Sequence, residues 1–283
     1  MPPRTTTTQR QRRLGAEIKR MRTEAGLTAE YVAGLLGLDR GKVSNIESGT
    51  RNISPERLRT LATHCECADE DYLSALVELT GSPQPHWWDA YRGKLSLGLL
   101  DIAELEWHAT RIQTVQTIHV PGLLQTEEYA RSIFAAVLPA LSRLEVEVRV
   151  AHRMERQSVL TRDHPVAYVG YVHEMAVRML FGGRDTTRGQ LKSLIEASER
   201  DNVLVRVLPL ERGSFPGAGH ALLYAEGPVP RLDTVQLDSA HGPEFLHAEL
   251  QLAKYRAHLD WMDDASLSPE ASRDLINGII HDL

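Results

Sequence analysis

Glycines at positions 26, 37 and 49 cut the chain from Gln11 onward into segments that are each the length of a short helix. In the first segment Leu14, Ile18 and Met21 recur at helical spacing, ringed by Arg12, Arg13, Lys19, Arg20 and Arg22. Thr28 is placed to cap a second helix whose inward residues are Val32, Leu35 and Leu36. Asp39 caps a third, with Val43 and Ile46 inward, that closes at Gly49. Ser54-Pro55 opens a fourth through Leu58 and Leu61, and Asp69 a fifth carrying Tyr72, Leu73 and Leu76. The expected unit is therefore an all-α, five-helix domain over residues 10–80. A polar tail, residues 1–9, precedes it; Pro2, Pro3 and four consecutive threonines give it no apolar periodicity, which predicts disorder.

Two short helices joined by a tight, glycine-containing turn let one helix brace across a DNA backbone while the next lies in the major groove. Residues 28–36 and 39–48 have that spacing. The segment Leu27-Thr28-Ala29-Glu30-Tyr31-Val32-Ala33-Gly34-Leu35-Leu36-Gly37-Leu38-Asp39-Arg40-Gly41-Lys42-Val43-Ser44-Asn45-Ile46-Glu47-Ser48-Gly49 resembles the repressor and Cro-like (XRE) helix-turn-helix family. Small Ala33, the Gly37 turn, the Val43/Ile46 pair and the Ile-Glu-x-Gly ending carry the likeness. Ala29 stands where many members have glutamine, and Pro55 is displaced from its usual place near Ile53.

The resemblance implies that Arg40, Gly41, Ser44 and Asn45 face the bases of double-stranded DNA. Chemistry supports two of these. Arginine can donate two hydrogen bonds to guanine, and asparagine can pair with the edge of adenine. Thr28, Lys42 and Arg51 are the expected phosphate contacts, with a solvated surface as the plain alternative for Lys42 and Arg51. Asp39 reads as a cap. Arg4, Arg10, Arg12 and Arg13 form either an arm reaching a minor groove or a floppy basic tail.

Charge is distributed to match. The chain of 283 residues carries a net −6, yet residues 1–59 hold 12 Lys/Arg against 6 Asp/Glu, while residues 81–283 hold 20 against 27. The positive end is the one expected to meet an anion.

Gly81-Ser82-Pro83-Gln84-Pro85 is the expected linker, and residues 86–283 change pattern to an α+β domain larger than the first. Strands are expected at Ile112–Val120, Val166–Tyr171, Val203–Leu208, Ala221–Ala225 and Thr234–Leu237, between helical stretches. No apolar run is long enough to cross a bilayer, and the N-terminus lacks a signal-like apolar stretch, so a cytoplasmic protein is expected. Cys65 and Cys67 stand one residue apart, too close for an easy disulfide, and read as reduced.

Enzyme signatures fail in detail. His173-Glu174-Met175-Ala176-Val177 begins like a zinc-binding His-Glu-x-x-His helix but has Val177 at the second ligand position. No nucleophile elbow or phosphate-binding loop occurs, and Gly213–Gly219 reads as a turn between strands. No catalytic residue, metal or cofactor is therefore expected. Arg153 and Arg156 should share a helix face and make ion pairs, Glu174 among their candidates. Trp87, Trp88, Tyr91, Trp107, Phe134 and Tyr171 are stock for a core, a domain interface or a ligand pocket.

Val120-Pro121-Gly122-Leu123-Leu124-Gln125-Thr126-Glu127-Glu128-Tyr129-Ala130-Arg131 resembles a C-terminal domain of unknown function found behind XRE readers in actinobacterial regulators, the WhiJ-like developmental ones included. Arg153-Met154-Glu155-Arg156-Gln157, His173-Glu174, Gly182-Gly183 with Gln190-Leu191, and Val205-Arg206-Val207-Leu208-Pro209 follow in the same order. Physically, Pro121-Gly122 reads as a strand-to-helix turn that turns Leu123, Leu124 and Tyr129 inward. The resemblance implies a regulator of development or secondary metabolism, such as a repressor, often paired with a small partner protein, and it implies no known ligand. Single readers of this size gain affinity by pairing, so a homodimer on a pseudo-palindromic operator is expected. The C-terminal domain would then sense either a small-molecule effector or a small partner protein, the latter making the chain the DNA-bound half of a toxin–antitoxin-like or antagonist pair.

Overall fold

The structure, a computed structural model, describes residues 7–81, 85–216, 219–239 and 241–283. They form two compact units, Met1–Ala90 and Tyr91–Leu283. The first is helical and the second α+β, as the two halves of the sequence pattern require.

Five helices make the first unit: α1 (Gln9–Glu24), α2 (Ala29–Leu35), α3 (Arg40–Glu47), α4 (Pro55–His64) and α5 (Glu70–Leu79). Each begins at an oxygen-bearing cap, Thr8, Thr28, Asp39, Ser54 and Asp69, whose side chain accepts a backbone N–H of the first turn. The expected tail extends into this structure. Thr8 closes a capping box with Gln11, so Thr8 and Gln9 belong to the start of α1; residues 1–6 of the expected tail lie outside the described residues. Gly37 takes φ +63°, the left-handed conformation that lets α2 stop and α3 start three residues on, at Arg40. Leu14, Ile18, Val32, Val43, Ile46, Leu58, Leu61, Tyr72 and Leu76 are buried and form the core.

The second unit is built on one six-stranded sheet, with strands β1 (Arg111–Gln116), β2 (Ala167–His173), β3 (Val203–Leu208), β4 (Leu222–Glu226), β5 (Thr234–Ser239) and β6 (Gly242–Leu246) in the spatial order β3-β2-β1-β4-β5-β6. β1, β2 and β3 run parallel; β4, β5 and β6 continue antiparallel from β1. The helices are α6 (Leu97–His108), α7 (Glu127–Ala135), α8 (Arg143–Arg156), α9 (Glu174–Arg178), α10 (Arg184–Ala197), α11 (Glu249–Ala265) and α12 (Pro269–Asp282). Ile112, Tyr168, Val172, Val205 and Leu223 turn to one face, where they pack with Tyr129, Leu191, Leu194, Ile276 and Ile279. Val115, Val169, Tyr171, Tyr224 and Val235 turn to the other, against Leu252, Leu259 and Met262 of α11.

Three expectations need correction. β1 ends at Gln116 rather than Val120, because the chain leaves the sheet there and reaches Pro121 before a short 3-10 turn, Gly122–Leu124. Leu123, Leu124 and Tyr129 are buried as the turn reading required. β6 was not expected, since Gly242-Pro243 looks like a breaker; Pro243 is tolerated because β6 is an edge strand. The two α8 arginines do not meet Glu174. Arg156 pairs with Glu106 on α6, Glu174 takes Arg178 and the N–H of Leu210, and Glu155 accepts from the Tyr91 hydroxyl.

Candidate nucleic-acid interface

α3 is divided cleanly along its length. Val43 and Ile46 are buried at 2% and 4% exposure, while Arg40, Gly41, Lys42, Ser44 and Asn45 are exposed. Helical spacing puts Gly41, Ser44 and Asn45 on one outward strip, with Arg40 at its N-terminal edge beside Ser44. All four expected base-reading positions thus share one solvent-facing surface. At Gly41 a methyl group would meet only the Asp39 carboxylate, at 3.2 Å, so the glycine leaves a gap in that surface rather than filling a packing need.

Of the expected phosphate contacts, Lys42 lies on α3, Arg51 follows it, and Thr28 caps α2, which packs against α3. Thr28 is exposed at the start of α2, where its hydroxyl accepts from the N–H of Tyr31 at 3.1 Å. Lys42 makes an exposed ion pair with Asp39 at 2.9 Å, and its side chain and backbone N–H hold that carboxyl below the ordinary range. Such a pair is weak in water and can be exchanged for a phosphate. Arg51 is exposed, and its N–H donates to the carbonyl of Asn45 at 3.0 Å, which ties its loop to the end of α3. Ser48 and Thr50 donate to the same carbonyl, each at 3.1 Å.

Sequence reasoning missed what holds α3 in place. Arg22 on α1 reaches Glu47 with two hydrogen bonds, at 2.5 and 3.1 Å, and also donates to the carbonyl of Leu27 at 2.8 Å. The glutamate partner raises the Arg22 pKa further. A second clasp is steric: Gly15 lies against the backbone of Ile46 and Glu47, and Gly49 against that of Gln11 and Arg12. Tyr31, more than half exposed beside Thr28, was missed too.

The basic arm is corrected. Arg10, Arg12 and Arg13 are part of α1. Arg13 is buried and pairs with Glu17, which also meets Arg20 and the Tyr72 hydroxyl; Arg10 donates to the carbonyl of Glu78 and Arg12 to that of Thr7. Arg4 lies outside the described residues. Part of the positive charge of residues 1–59 therefore faces inward carboxylates instead of solvent.

Residues 13–76 match the family described as a helix-turn-helix domain, a span that includes α2, α3 and the Arg22–Glu47 pair and supports a DNA-binding regulator. Residues 99–278 match the family described as a domain of unknown function, DUF5753. The chain belongs to the DUF5753 family. No curated protein and no solved structure matches it. Among the described residues of this DUF5753 chain, no helix is long and apolar enough to cross a membrane. None of their His, Cys, Asp and Glu side chains are grouped in threes or more as a metal ion would need. His173 instead caps α9, accepting the N–H of Met175 at 3.2 Å.

Proposed function

We propose that this DUF5753 protein is a cytoplasmic, sequence-specific transcription regulator, not an enzyme, that binds a pseudo-palindromic operator as a homodimer. The observation that carries the reading is the outward strip of α3. Arg40 and Asn45 offer the two side-chain types that discriminate guanine and adenine, each bidentate contact contributing roughly 1 to 3 kcal/mol of discrimination. Thr28, Tyr31, Lys42 and Arg51 fix the register on phosphates. Pairing follows from energetics: one small reader buries too little surface for a tight specific complex, and two copies on adjacent half-sites supply it.

Regulation by a small molecule is favoured over a protein partner, because the C-terminal unit holds a partly open, polar-lined cavity. Control of development or secondary metabolism, and repression as its sign, remain the expectation drawn from the family resemblance. Footprinting on genomic DNA combined with sedimentation of the complex tests the reading. Protection of two half-sites about one helical turn apart, by two chains, is expected. Binding with no sequence preference, or protection by a single chain, would refute it.

A further inference from the structure

The C-terminal unit contains a cavity of about 240 Å³ between the sheet and helices α6 and α8. Its wall is polar where a core wall is ordinarily apolar. Thr114 and Gln116 on β1, and Gln236 and Asp238 on β5, turn to the same face as Ile112, Val172 and Leu223. Thr114 and Gln236 are only 4% and 6% exposed. Thr114 shares a hydrogen bond of 3.0 Å with the Tyr168 hydroxyl and Gln236 donates to Asp238 at 2.8 Å, which offsets their burial; folds depart from apolar patterning chiefly where a site requires it.

Arg153 and Arg156 enter this cavity from α8, one turn apart. Arg156 is matched. It makes a bidentate pair with Glu106, at 2.8 and 2.6 Å, and both side chains are buried. Arg153 is not. One guanidinium nitrogen donates to the neutral amide oxygen of Gln125 at 2.6 Å, the group lies 4.8 Å over the Phe134 ring, and its buried Nε has no hydrogen-bond partner. Among the described residues, no carboxylate stands within ion-pair distance of Arg153. Burial and the neighbouring Arg156 pull its pKa down to about 9 against the opposing charge of Glu106 and Asp238, so at neutral pH it is still a cation, in the field of two carboxylates but in contact with neither. Gly122 keeps the space around it open: a methyl group there would lie 3.2 Å from Arg153 Nη1.

We infer that this cavity binds a small carboxylic acid, whose carboxylate takes the unmatched face of Arg153. The planar guanidinium fork suits a carboxylate, and the pairing adds a charge-assisted hydrogen bond to a partly buried cation that no carboxylate of the chain touches. Glu106 behind and Asp238 at the rim oppose a dianion, so the ligand carries a single negative charge. Gln116, Gln236 and Asp238 in the same lining offer acceptors to hydroxyl or amino donors of the ligand. The cavity is smaller than the roughly 300 to 1,000 Å³ of drug-sized pockets, which limits the ligand to a small metabolite. The inference rests on the sensor reading of this unit for its consequence and on the cavity alone for its chemistry.

The full chain is titrated by calorimetry and by thermal unfolding with lactate, glycerate, hydroxybutyrate, salicylate and N-acetylglycine at millimolar concentration. Their neutral amides and inorganic phosphate serve as comparisons. At least one carboxylate should bind one site per chain and raise Tm, its amide should not, and Arg153→Gln should weaken binding by about tenfold or more. Absence of binding by every carboxylate, equal binding of phosphate, or binding that survives Arg153→Gln would each overturn the inference. Arg153→Met removes the unmatched cation but also the donor to the buried Gln125 Oε1, so without ligand its Tm should fall by no more than the few degrees that one lost hydrogen bond costs. A large drop would mark the guanidinium as purely structural and also count against the site. Gel shifts on the same wild-type samples separate the two readings. DNA binding without carboxylate binding sinks the site alone, and carboxylate binding without DNA binding sinks the regulator alone.

Discussion

Gly15 on α1 meets the backbone of Ile46 on α3 with no room for a side chain: a Cβ built on it would stand 2.6 Å from the Ile46 carbonyl oxygen. The crossing places the exposed strip of α3, because the same turn of α3 carries Asn45. Gly15→Ala must push the two helices apart, and overpacking of this kind costs roughly 1 to 3 kcal/mol. Gly34, exposed in α2 with nothing near its missing methyl, is the control; Gly34→Ala should stabilise the unit by up to about 1 kcal/mol. Urea unfolding with hydrogen exchange read on α1 and α3 measures both. Equal stability for Gly15→Ala and the wild type would contradict the close approach.

Arg22 and Glu47 supply the polar counterpart of that clasp, with side chains 12% and 9% exposed. Removing one partner leaves the other charge poorly solvated. Glu47→Leu or Arg22→Met should each cost about 3 kcal/mol, at the low end for buried pairs because some water reaches this one. The double variant, Arg22→Met with Glu47→Leu, should recover most of the loss. A double-mutant cycle in which the two costs simply add would show that the pair does not couple α1 to α3.

His152 on α8 is buried, and desolvation, reinforced by Arg156 and Arg153, drives its pKa down to about 3. The unfolded chain titrates near 6.5. Between these values the unfolded state binds a proton that the folded state refuses, so stability is full above about pH 6.5 and falls as the pH drops toward 3. His152→Gln should flatten this dependence, removing about 2 to 3 kcal/mol of the acid loss between pH 7 and 4.5. Parallel denaturant curves for the two proteins would decide it; identical acid sensitivity would mean that His152 is protonated in the fold.

What the sequence made legible is what lies close along the chain. Caps at Thr28, Asp39, Ser54 and Asp69 and the Gly37 stop are local chemistry, and they predict the helices of the first unit. The outward strip of α3 follows from the same periodicity. Gly15 reads only as a helix residue until α3 is laid against it, and Arg22 meets Glu47 across 25 positions. In the second unit β3 and β4 are readable from β-branched and apolar runs, whereas β6 hides behind Gly242-Pro243. Pairing Arg156 with Glu106 crosses 50 positions and could not be inferred from α8. The cavity was hidden for a further reason: Gln116 and Gln236 look like outward residues of half-exposed strands, and the tertiary fold turns them inward.

Arg40 and Lys42 stand two residues apart on α3 and should fail differently when removed. Arg40 is exposed on the strip proposed to face the bases, and among the described residues it has no ion-pair partner that would hold it back. Arg40→Ala should cost roughly 1 to 3 kcal/mol on the preferred operator and little on a site altered at the base it reads, which relaxes specificity at one position. Lys42 already shares its charge with Asp39, so its transfer to a phosphate is a modest gain that every sequence offers equally. Lys42→Ala should therefore weaken all sites alike and lower the slope of log K against log salt by about one. Binding measured on a panel of single-base operator variants, at several salt concentrations, separates the two roles. A uniform loss for Arg40→Ala with a position-specific loss for Lys42→Ala would invert the assignment and rotate the reading face of α3.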